Sequence, residues 1–339
     1  MKTVVLTISE ATALAARALM AAGASQESAA STAAALIAAE VDGQSGHGLS
    51  RLAGYARQLR VGKVNGKAQP VAVMRGPASV WIDARTGFAY PAIDVAVERL
   101  TVLVPQLGVA AAGIFASHHF GQAGRHVERL AERGLVALAF ANSPSAMAFH
   151  GGRKPMTGTN PIAFAAPVRE RAPLVIDMSL SVAARGKIVA ASKAGTPIPG
   201  DWAVDAQGRP TTDATAALGG TLLPVGGVKG AALALMIEVL CGALVGGHFG
   251  WEASSLLDAE GGPPLLGQVL IAFNPPSFVG DGFADRMQLL VEAVEAEYPA
   301  RLPGNRRLEL RARAAVEGVA ISAPLHDEIV ALTHDAEPA

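Results

Sequence analysis

The sequence Gly46-His47-Gly48-Leu49-Ser50-Arg51 follows an apolar run from Ser28 to Ala39 that has helical spacing. A histidine between two glycines has open space on both sides of its ring, so another molecule can approach it closely. If the chain turns helical after Gly48, Arg51 lies on the same face as His47. A proton donor would then lie beside a planar cation that can bind a carboxylate through two hydrogen bonds. The alternative is a glycine-rich helix end with a solvated histidine and a surface arginine.

The residues on both sides of this stretch predict a helical region. Thr7 or Ser9 can cap a first helix that ends near Gly23, and Ser25 can cap a second. After Arg51 the helical spacing continues to Leu59 and stops at Gly62. We therefore predict a helical N-terminal unit over residues 1–70, joined by a C-terminal helix at 300–339.

Residues 71–299 instead alternate between strand and helix patterns, which predicts an α/β domain that binds cofactor and substrate. Strands are predicted at 79–84, 109–116, 135–142, 160–166, 173–178 and 268–273. Helices are predicted at 92–104, 121–133, 182–192, 228–244, 281–297 and 305–316. Residues 195–213 are predicted to form a long ordered loop, and the last ten residues to be frayed.

The composition excludes several classes of protein. The 339 residues carry a formal net charge of −1, which gives no basic excess for nucleic acid. The single cysteine, Cys241, excludes an internal disulfide and a multi-cysteine metal site, and it is predicted to be buried. No ligand spacing indicates a metal. We see neither a signal peptide nor a membrane span, and expect a soluble cytoplasmic protein.

Candidate binding residues lie where predicted strands give way to helices. Neither a Rossmann glycine motif nor a P-loop is present, so any dinucleotide is held in another way. The amides that follow Ser117-His118-His119 can hold an anion at a helix start, or this stretch can be a simple strand exit. Lys229 lies in a similar glycine-rich helix start, which is a weak phosphate signal by itself.

Other polar residues have two interpretations each. Thr159 can bind a ligand oxygen or close a turn. Arg185 and Lys187 can bind an anionic substrate or form a solvated helix face. Arg306 and Arg307 can reach a phosphate or be surface charges.

Taken in order, several stretches resemble the malate/L-lactate dehydrogenase family that lacks a Rossmann domain. Its members act on malate, lactate, sulfolactate, ureidoglycolate, diketogulonate and cyclic ketimines. The matching stretches are HGLSRL from His47, SHHFGQAG from Ser117, GTNPIAFAAP from Gly158, VIDMS from Val175, ARGKI from Ala184, IPGDWAVDAQGRPTTD from Ile198 and KGAALALMIEVL from Lys229.

The resemblance implies an NAD(P)-dependent oxidoreductase with an unusual α/β fold and a site formed within a homodimer. It implies that His47 is the proton donor, with substrate held by Arg51, Thr159, Arg185 and Gly186. The residues implied to line the cofactor are His119, Phe120, Gly121, Gln122, Ala123, Asp177, Met178, Ser179, Lys229, Pro303, Gly304, Asn305, Arg306 and Arg307. The two arginines slightly favour NADPH over NADH.

Two residues depart from the family's pattern. Gly46 stands where many relatives carry a serine, and Lys187 stands where the ketimine reductases carry an acid. We place Lys187 among the catalytic residues, although whether it replaces this relay is open. A lysine there favours neutral His47 and can hold an extra anion.

We therefore expect hydride transfer to a small 2-oxo carboxylate. The alternatives are reduction of a cyclic ketimine, or a non-catalytic protein that binds a small acid.

Overall fold

The computed structural model describes residues 2–334. Its helices are α1 Ile8–Ala21, α2 Gln26–Val41, α3 Leu52–Arg60, α4 Ala89–Leu107, α5 Ala123–Ala131, α6 Arg185–Ala194, α7 Ala214–Leu218, α8 Val228–Glu238, α9 Pro276–Val279, α10 Phe283–Ala296, α11 Asn305–Glu317 and α12 Ala323–Leu332. Its strands are β1 Thr3–Leu6, β2 Val71–Gly76, β3 Ser79–Asp83, β4 Val109–Ser117, β5 Val136–Ala141, β6 Met147–Ala148, β7 Pro155–Thr157, β8 Ile162–Ala166, β9 Leu174–Met178, β10 Ala203–Val204, β11 Thr221–Leu222, β12 Leu266–Phe273 and β13 Val319–Ser322.

A seven-stranded sheet with the order β2-β3-β4-β12-β5-β8-β9 forms the centre of the α/β region. Only β3 and β4 pair in parallel, and the other neighbours are antiparallel. Helices α4 and α5 pack on this sheet and bury one continuous apolar core. The small alanines along β4 and β5 let these helices approach closely. The sheet thus fixes the turn between β4 and α5.

The N-terminal helices form a second core. Thr7 caps α1 in a reciprocal pair with Glu10, and Ser25 caps α2, as the sequence predicts. Helix α12 packs against α1 and α3, and β13 pairs with β1. We propose on this basis that residues 1–70 and the C-terminal segment form one unit.

Several predicted elements are wrong in detail. The predicted C-terminal helix at 300–339 is two helices, α11 and α12, separated by β13. The last ten residues are not all frayed, because α12 continues to Leu332, while residues 335–339 lie outside the described residues. Strands β1 and β13 were not predicted, because each has four residues and pairs with the opposite end of the chain. Strand β2, which forms a hairpin with β3, was also not predicted.

The third apolar core lies under a small sheet with the order β10-β11-β6-β7. One strand of this sheet, β10, interrupts the predicted loop at 195–213. The predicted helix at 228–244 is α8 followed by a π-helical turn, Val239–Leu244, and Cys241 in this turn is buried as expected. Within residues 2–334, no helix is both long and apolar enough to cross a membrane.

Candidate active site

Two short 3-10 turns follow α2, Ser45–His47 and Leu49–Arg51, and His47 is the last residue of the first. The Glu40 carboxylate accepts the Leu49 amide proton at 2.9 Å and fixes the second turn. A Cβ atom on Gly48 would collide with this carboxylate, whereas one on Gly46 would meet no atom within 4 Å. Gly48 is therefore needed for packing, and Gly46 gives the open space beside the ring.

The Arg51 side chain folds back across the same turn. Its Nε donates a hydrogen bond to the Gly46 carbonyl at 2.7 Å. Among residues 2–334, its terminal nitrogens have no hydrogen-bond or ion-pair partner, which leaves them open to a carboxylate. Burial and the positive charge of Arg51 lower the pKa of His47 to about 4. His47 is thus neutral at pH 7 when no ligand is bound.

His119 lies directly beside His47. The two imidazole rings are stacked, with centroids 5.5 Å apart and planes at 14°. The Tyr55 hydroxyl lies 2.6 Å from His119 Nδ1 and 3.2 Å from the Tyr90 hydroxyl. The sequence analysis missed both tyrosines, because Tyr55 fits the apolar spacing of a helix. The hydroxyl group of a buried tyrosine needs a hydrogen-bond partner. A tyrosine at an apolar position of a helix was therefore the one signal for this polar contact.

Four histidines of this region are held uncharged at neutral pH. Burial is the main cause in each case. It lowers the pKa of His118 to about 3 and of His126 to about 4, and it lowers the pKa of His119 well below 6.5. The positive charge of Arg51 adds to this effect for His118 and His119. The region therefore takes up few protons until the pH falls far below 6.5.

We expect the protein to lose stability as the pH falls from about 6.5 to 4. Above pH 6.5 these histidines are neutral in both the folded and the unfolded protein, so they add no pH dependence to the free energy of unfolding. Below 6.5 the unfolded chain binds protons that the folded chain does not, which favours unfolding by up to about 1.4 kcal/mol per pH unit for each histidine. Urea unfolding at pH 7.5, 6.0 and 5.0 measures this slope.

His118→Phe is the informative variant, because both ring nitrogens are buried and make no hydrogen bond within the described chain. This variant should reduce the slope of the unfolding free energy against pH by the amount that corresponds to about one bound proton. His150→Gln, on an exposed residue, should leave the slope unchanged. A free energy of unfolding that does not change between pH 6.5 and 5 would contradict the expectation.

The start of α5 was predicted to hold an anion with its free amides. The structure places a carboxylate of the chain there, since the Gly124 amide donates to Asp177 Oδ2 at 2.8 Å. The Gln44 side chain also donates to Asp177, and burial raises the pKa of this carboxyl group. The Gly124 amide is thus already used, and Asp177 ties the end of β9 to the chain three residues before His47.

The predicted residues between β4 and α5 occupy a tight passage. Phe120 is buried against the His126 ring, with centroids 4.6 Å apart. Gly121 has φ of 69°, and a Cβ atom here would lie 2.5 Å from the Tyr90 hydroxyl oxygen. Gln122 is buried and donates to Asp42, and Ala123 is buried at the first turn of α5. This passage is therefore rigid.

A buried ion network joins α11 to the ends of α2 and α5. Arg311 binds both Asp42 and Glu128, with its terminal nitrogens 2.7 Å from each carboxylate. Arg307 lies 3.1 Å from Glu128 and 3.8 Å from Asp42. Burial raises the pKa of Glu128, but Arg311 and Arg307 outweigh this effect, and the net pKa lies below its usual value.

This network excludes one of the two interpretations of Arg307. Arg307 is buried in ion pairs, so its interpretation as a surface charge is wrong. Arg306 is exposed and has no ion-pair partner among residues 2–334. Pro303, Gly304 and Asn305 line a cavity of about 80 Å³ next to Arg307. The five predicted residues of this turn are thus accessible to a ligand to different degrees.

Thr159 belongs to a loop that a buried glutamate holds in place. The Thr159 amide donates to Ser143 Oγ at 3.1 Å, and its hydroxyl has no partner among the described residues. The next residue, Asn160, donates to Glu238 at 2.9 Å, and Asn142 and the Gly250 amide bind the same carboxylate. This role of Glu238, which interrupts an apolar run, was not predicted.

The remaining predicted site residues are exposed and do not cluster with His47, Arg51 and His119. Arg185, Gly186 and Lys187 form the first turn of α6, and Lys187 Nζ lies 5.7 Å from the centre of the Trp202 ring. Met178 and Ser179 follow Asp177, and Lys229 begins α8. In the described chain, no hydrogen bond, ion pair or ring contact joins Lys187 or Lys229 to His47.

Within residues 2–334, no group of three or more His, Cys, Asp or Glu side chains is arranged to hold a metal ion.

Comparison with known proteins gives strong matches over nearly the whole chain. A model of the malate/L-lactate dehydrogenase family matches residues 6–330. The chain is 49% identical over 324 residues to (2R)-3-sulfolactate dehydrogenase (NADP(+)) from Chromohalobacter salexigens, with 96% of each chain covered. It is 45% identical over 289 residues to a Delta(1)-pyrroline-2-carboxylate/Delta(1)-piperideine-2-carboxylate reductase from Pseudomonas putida, with 84% of each covered.

The crystal structure of delta1-piperideine-2-carboxylate reductase from Pseudomonas syringae pvar. tomato has the same fold. It superposes with a TM-score of 0.92 at 38% identity, and covers 97% of this chain and 99% of that one. These matches confirm the predicted α/β fold and the NAD(P)-dependent oxidoreductase class. The chain therefore belongs to the malate/L-lactate dehydrogenase family.

Proposed function

We propose that this enzyme transfers hydride reversibly between NADPH and C2 of a small 2-oxo or 2-hydroxy carboxylate. The observation that carries the proposal is the pairing of a partly exposed imidazole, His47, with the free terminal nitrogens of Arg51. Arg51 would bind the substrate carboxylate, and His47 would exchange the proton of the C2 oxygen. Thr159 would donate a further hydrogen bond through its free hydroxyl.

The protonation state of His47 suits both directions of this reaction. In the empty site it is neutral, so it can accept the proton of a 2-hydroxy acid during oxidation. A carboxylate bound to Arg51 would offset the positive charge that helps to lower the pKa of His47. The histidine would then hold a proton more readily, and could deliver it to the oxygen of a 2-oxo acid during reduction.

The turn at Pro303–Arg307 offers features that fit a nicotinamide nucleotide. The cavity beside Pro303, Gly304 and Asn305 is accessible, and the exposed guanidinium of Arg306 fits the 2′-phosphate of NADPH. When bound, the reduced nicotinamide supplies the hydride. His119 and the passage from Phe120 to Ala123 would line the nicotinamide end. Asp177, Met178, Ser179, Lys229 and Arg307 are proposed to complete this surface.

The substrate class follows from Lys187 and Arg185. Both are exposed cations without an acidic partner within residues 2–334, and Trp202 steadies the ammonium group of Lys187. Two free cations fit a substrate that carries a second anionic group, such as a sulfonate or a second carboxylate. The similarity to a 3-sulfolactate dehydrogenase supports this choice.

Reduction of a cyclic ketimine is the second candidate. The Pseudomonas putida relative is named as such a reductase, and neutral His47 is compatible with this reaction. A protonated imine already carries its own proton, so hydride addition to its carbon needs no acid from the protein. Initial rates with NADPH and NADH against pyruvate, oxaloacetate, sulfopyruvate, pyrroline-2-carboxylate and piperideine-2-carboxylate test both candidates. No cofactor oxidation with any of the five would refute the proposal.

Replacing Lys187 by alanine should raise KM for sulfopyruvate or oxaloacetate by about tenfold, because one charge-assisted hydrogen bond is lost. The KM for pyruvate should change little, since pyruvate has no second anion. Lys193→Ala is the matched control, because Lys193 is an exposed lysine near the end of the same helix. Equal changes in KM for pyruvate and sulfopyruvate would show that Lys187 does not bind the second anionic group.

We also propose that the site is completed by a second copy of the chain. The cations of α6 make no contact with His47 in one chain, and α8 exposes Val228, Leu235 and Val239 along one face. A dimer would bury this face, which continues from α8 into the π-helical turn that begins at Val239. Sedimentation should then give twice the chain mass of 34.5 kDa. We propose a cytoplasmic location, which fits a chain with one cysteine.

A further inference from the structure

Behind His119 lies a short chain of buried hydroxyl groups. Tyr55 and Tyr90 are 1% and 3% exposed, and their hydroxyl oxygens are 3.2 Å apart. The Tyr55 oxygen is also 2.6 Å from His119 Nδ1. The three groups therefore form a line from Tyr90 through Tyr55 to the imidazole that stacks on His47.

The number of available protons determines which group donates in each of these hydrogen bonds. Tyr55 has one hydroxyl proton and two partners, so it donates to one and accepts from the other. Among residues 2–334, the Tyr90 hydroxyl has no partner except Tyr55. If Tyr55 donated to Tyr90, the Tyr90 proton would be buried without an acceptor, at a cost of about 1–3 kcal/mol. Tyr90 therefore donates to Tyr55, and Tyr55 donates to His119 Nδ1.

We propose that Tyr55 is a positioning residue that fixes His119 as the tautomer with its proton on Nε2. His119 Nδ1 is the acceptor of the Tyr55 proton, so the neutral ring carries its own proton on the opposite nitrogen. Nε2 has no hydrogen-bond partner within the described residues, and the ring is partly exposed. The ring thus presents a neutral N–H donor beside His47.

The ligand atom for this donor is an acceptor oxygen of the bound nicotinamide nucleotide, and this part rests on the proposed function. A neutral donor at a fixed position binds an amide carbonyl without the desolvation cost of a second cation. The geometry is held from two sides, because the Tyr90 hydroxyl also packs against Gly121 in the passage that would line the cofactor. A change at Tyr55 should therefore affect cofactor binding more than substrate binding.

The tautomer can be measured on the resting enzyme without cofactor. In the full chain labelled with ¹⁵N-histidine, long-range ¹H–¹⁵N spectra distinguish protonated from unprotonated ring nitrogens, and loss of signals in His119→Gln assigns the ring. We expect an unprotonated Nδ1 and a protonated Nε2. In Tyr55→Phe both signals should move towards the averaged positions of exchanging tautomers. In Tyr90→Phe they should stay in place, because Tyr55 still donates to Nδ1.

Kinetics give the second measurement. Tyr55→Phe should raise the Kd of NADPH by about tenfold, with a smaller change in KM for the 2-oxo acid, because one hydrogen bond to the cofactor is loosened. Thermal unfolding of both variants checks that the fold is kept. A protonated Nδ1 in the unmodified enzyme, or unchanged signals in Tyr55→Phe, would overturn the tautomer assignment. If the spectra agree but NADPH does not bind, the proposed function fails and the tautomer stands.

Discussion

The substitution His47→Asn should lower kcat for reduction of the 2-oxo acid by about 10²–10⁴-fold, while NADPH still binds. General acid catalysis by a positioned side chain contributes a factor of this size. Asparagine keeps a polar group of similar length but has no proton to exchange near neutral pH. The His47 side chain makes no hydrogen bond within residues 2–334, so its replacement should not disturb the fold. Stopped-flow kinetics and quenching of NADPH fluorescence measure the two effects separately.

His334→Asn is the control, because His334 is exposed beyond α12. If His47→Asn keeps more than a tenth of kcat, the proton reaches the substrate by another route. A protein that binds NADPH and a small acid but turns over no substrate would support the non-catalytic alternative. In that case His47→Asn has no turnover to lose, and only acid binding would change.

Replacing Arg311 by methionine should lower the free energy of unfolding at pH 7 by about 3–5 kcal/mol, the usual cost of removing one partner from a buried ion pair. Asp42 and Glu128 are almost fully buried, and of the cations in residues 2–334 only Arg307 would still pair with both. Methionine keeps most of the side-chain volume, so the loss reports on charge rather than on a cavity.

The pH dependence of this loss has a definite sign. The pKa of Glu128 in the folded protein lies below its usual value of 4.5. Its stabilisation is therefore complete above pH 4.5 and decreases as the pH falls through the folded pKa. The difference between the unmodified protein and Arg311→Met should thus narrow below pH 4.5. Urea titrations at pH 7 and 4 measure it, and Arg313→Met, on the exposed side of the same helix, should change stability by no more than about 0.5 kcal/mol.

Local signals in the sequence were enough for much of the fold. Thr7 and Ser25 cap α1 and α2 because each offers a side-chain oxygen to a helix start. The run at 109–116 was predicted as a strand because it is a continuous apolar run of strand length, and it is buried in the central sheet. Strand order could not be predicted, since it depends on contacts between distant segments. The pair β1 and β13 joins residues more than 300 positions apart.

In the candidate site, too, local features could be predicted and contacts between distant residues could not. The pairing of His47 and Arg51 could be predicted, because the two residues are only four positions apart in the chain. The roles of Arg307 and Tyr55 could not, because an arginine or a tyrosine looks the same in a sequence whether it meets solvent or a buried partner. Asp42 and Glu128 pair with Arg311 across 269 and 183 positions, and Tyr55 meets His119 across 64. No local pattern carries such information.

Glu238 has a consequence for anyone who wishes to redesign this enzyme. Its two carboxylate oxygens gather Asn142, Asn160 and Gly250 from three separate segments around one point. Grafting the loop that carries Thr159 from a homologue would leave the other two segments matched to the old backbone. Successful transplants should therefore exchange all three segments together, with the glutamate kept as their common anchor.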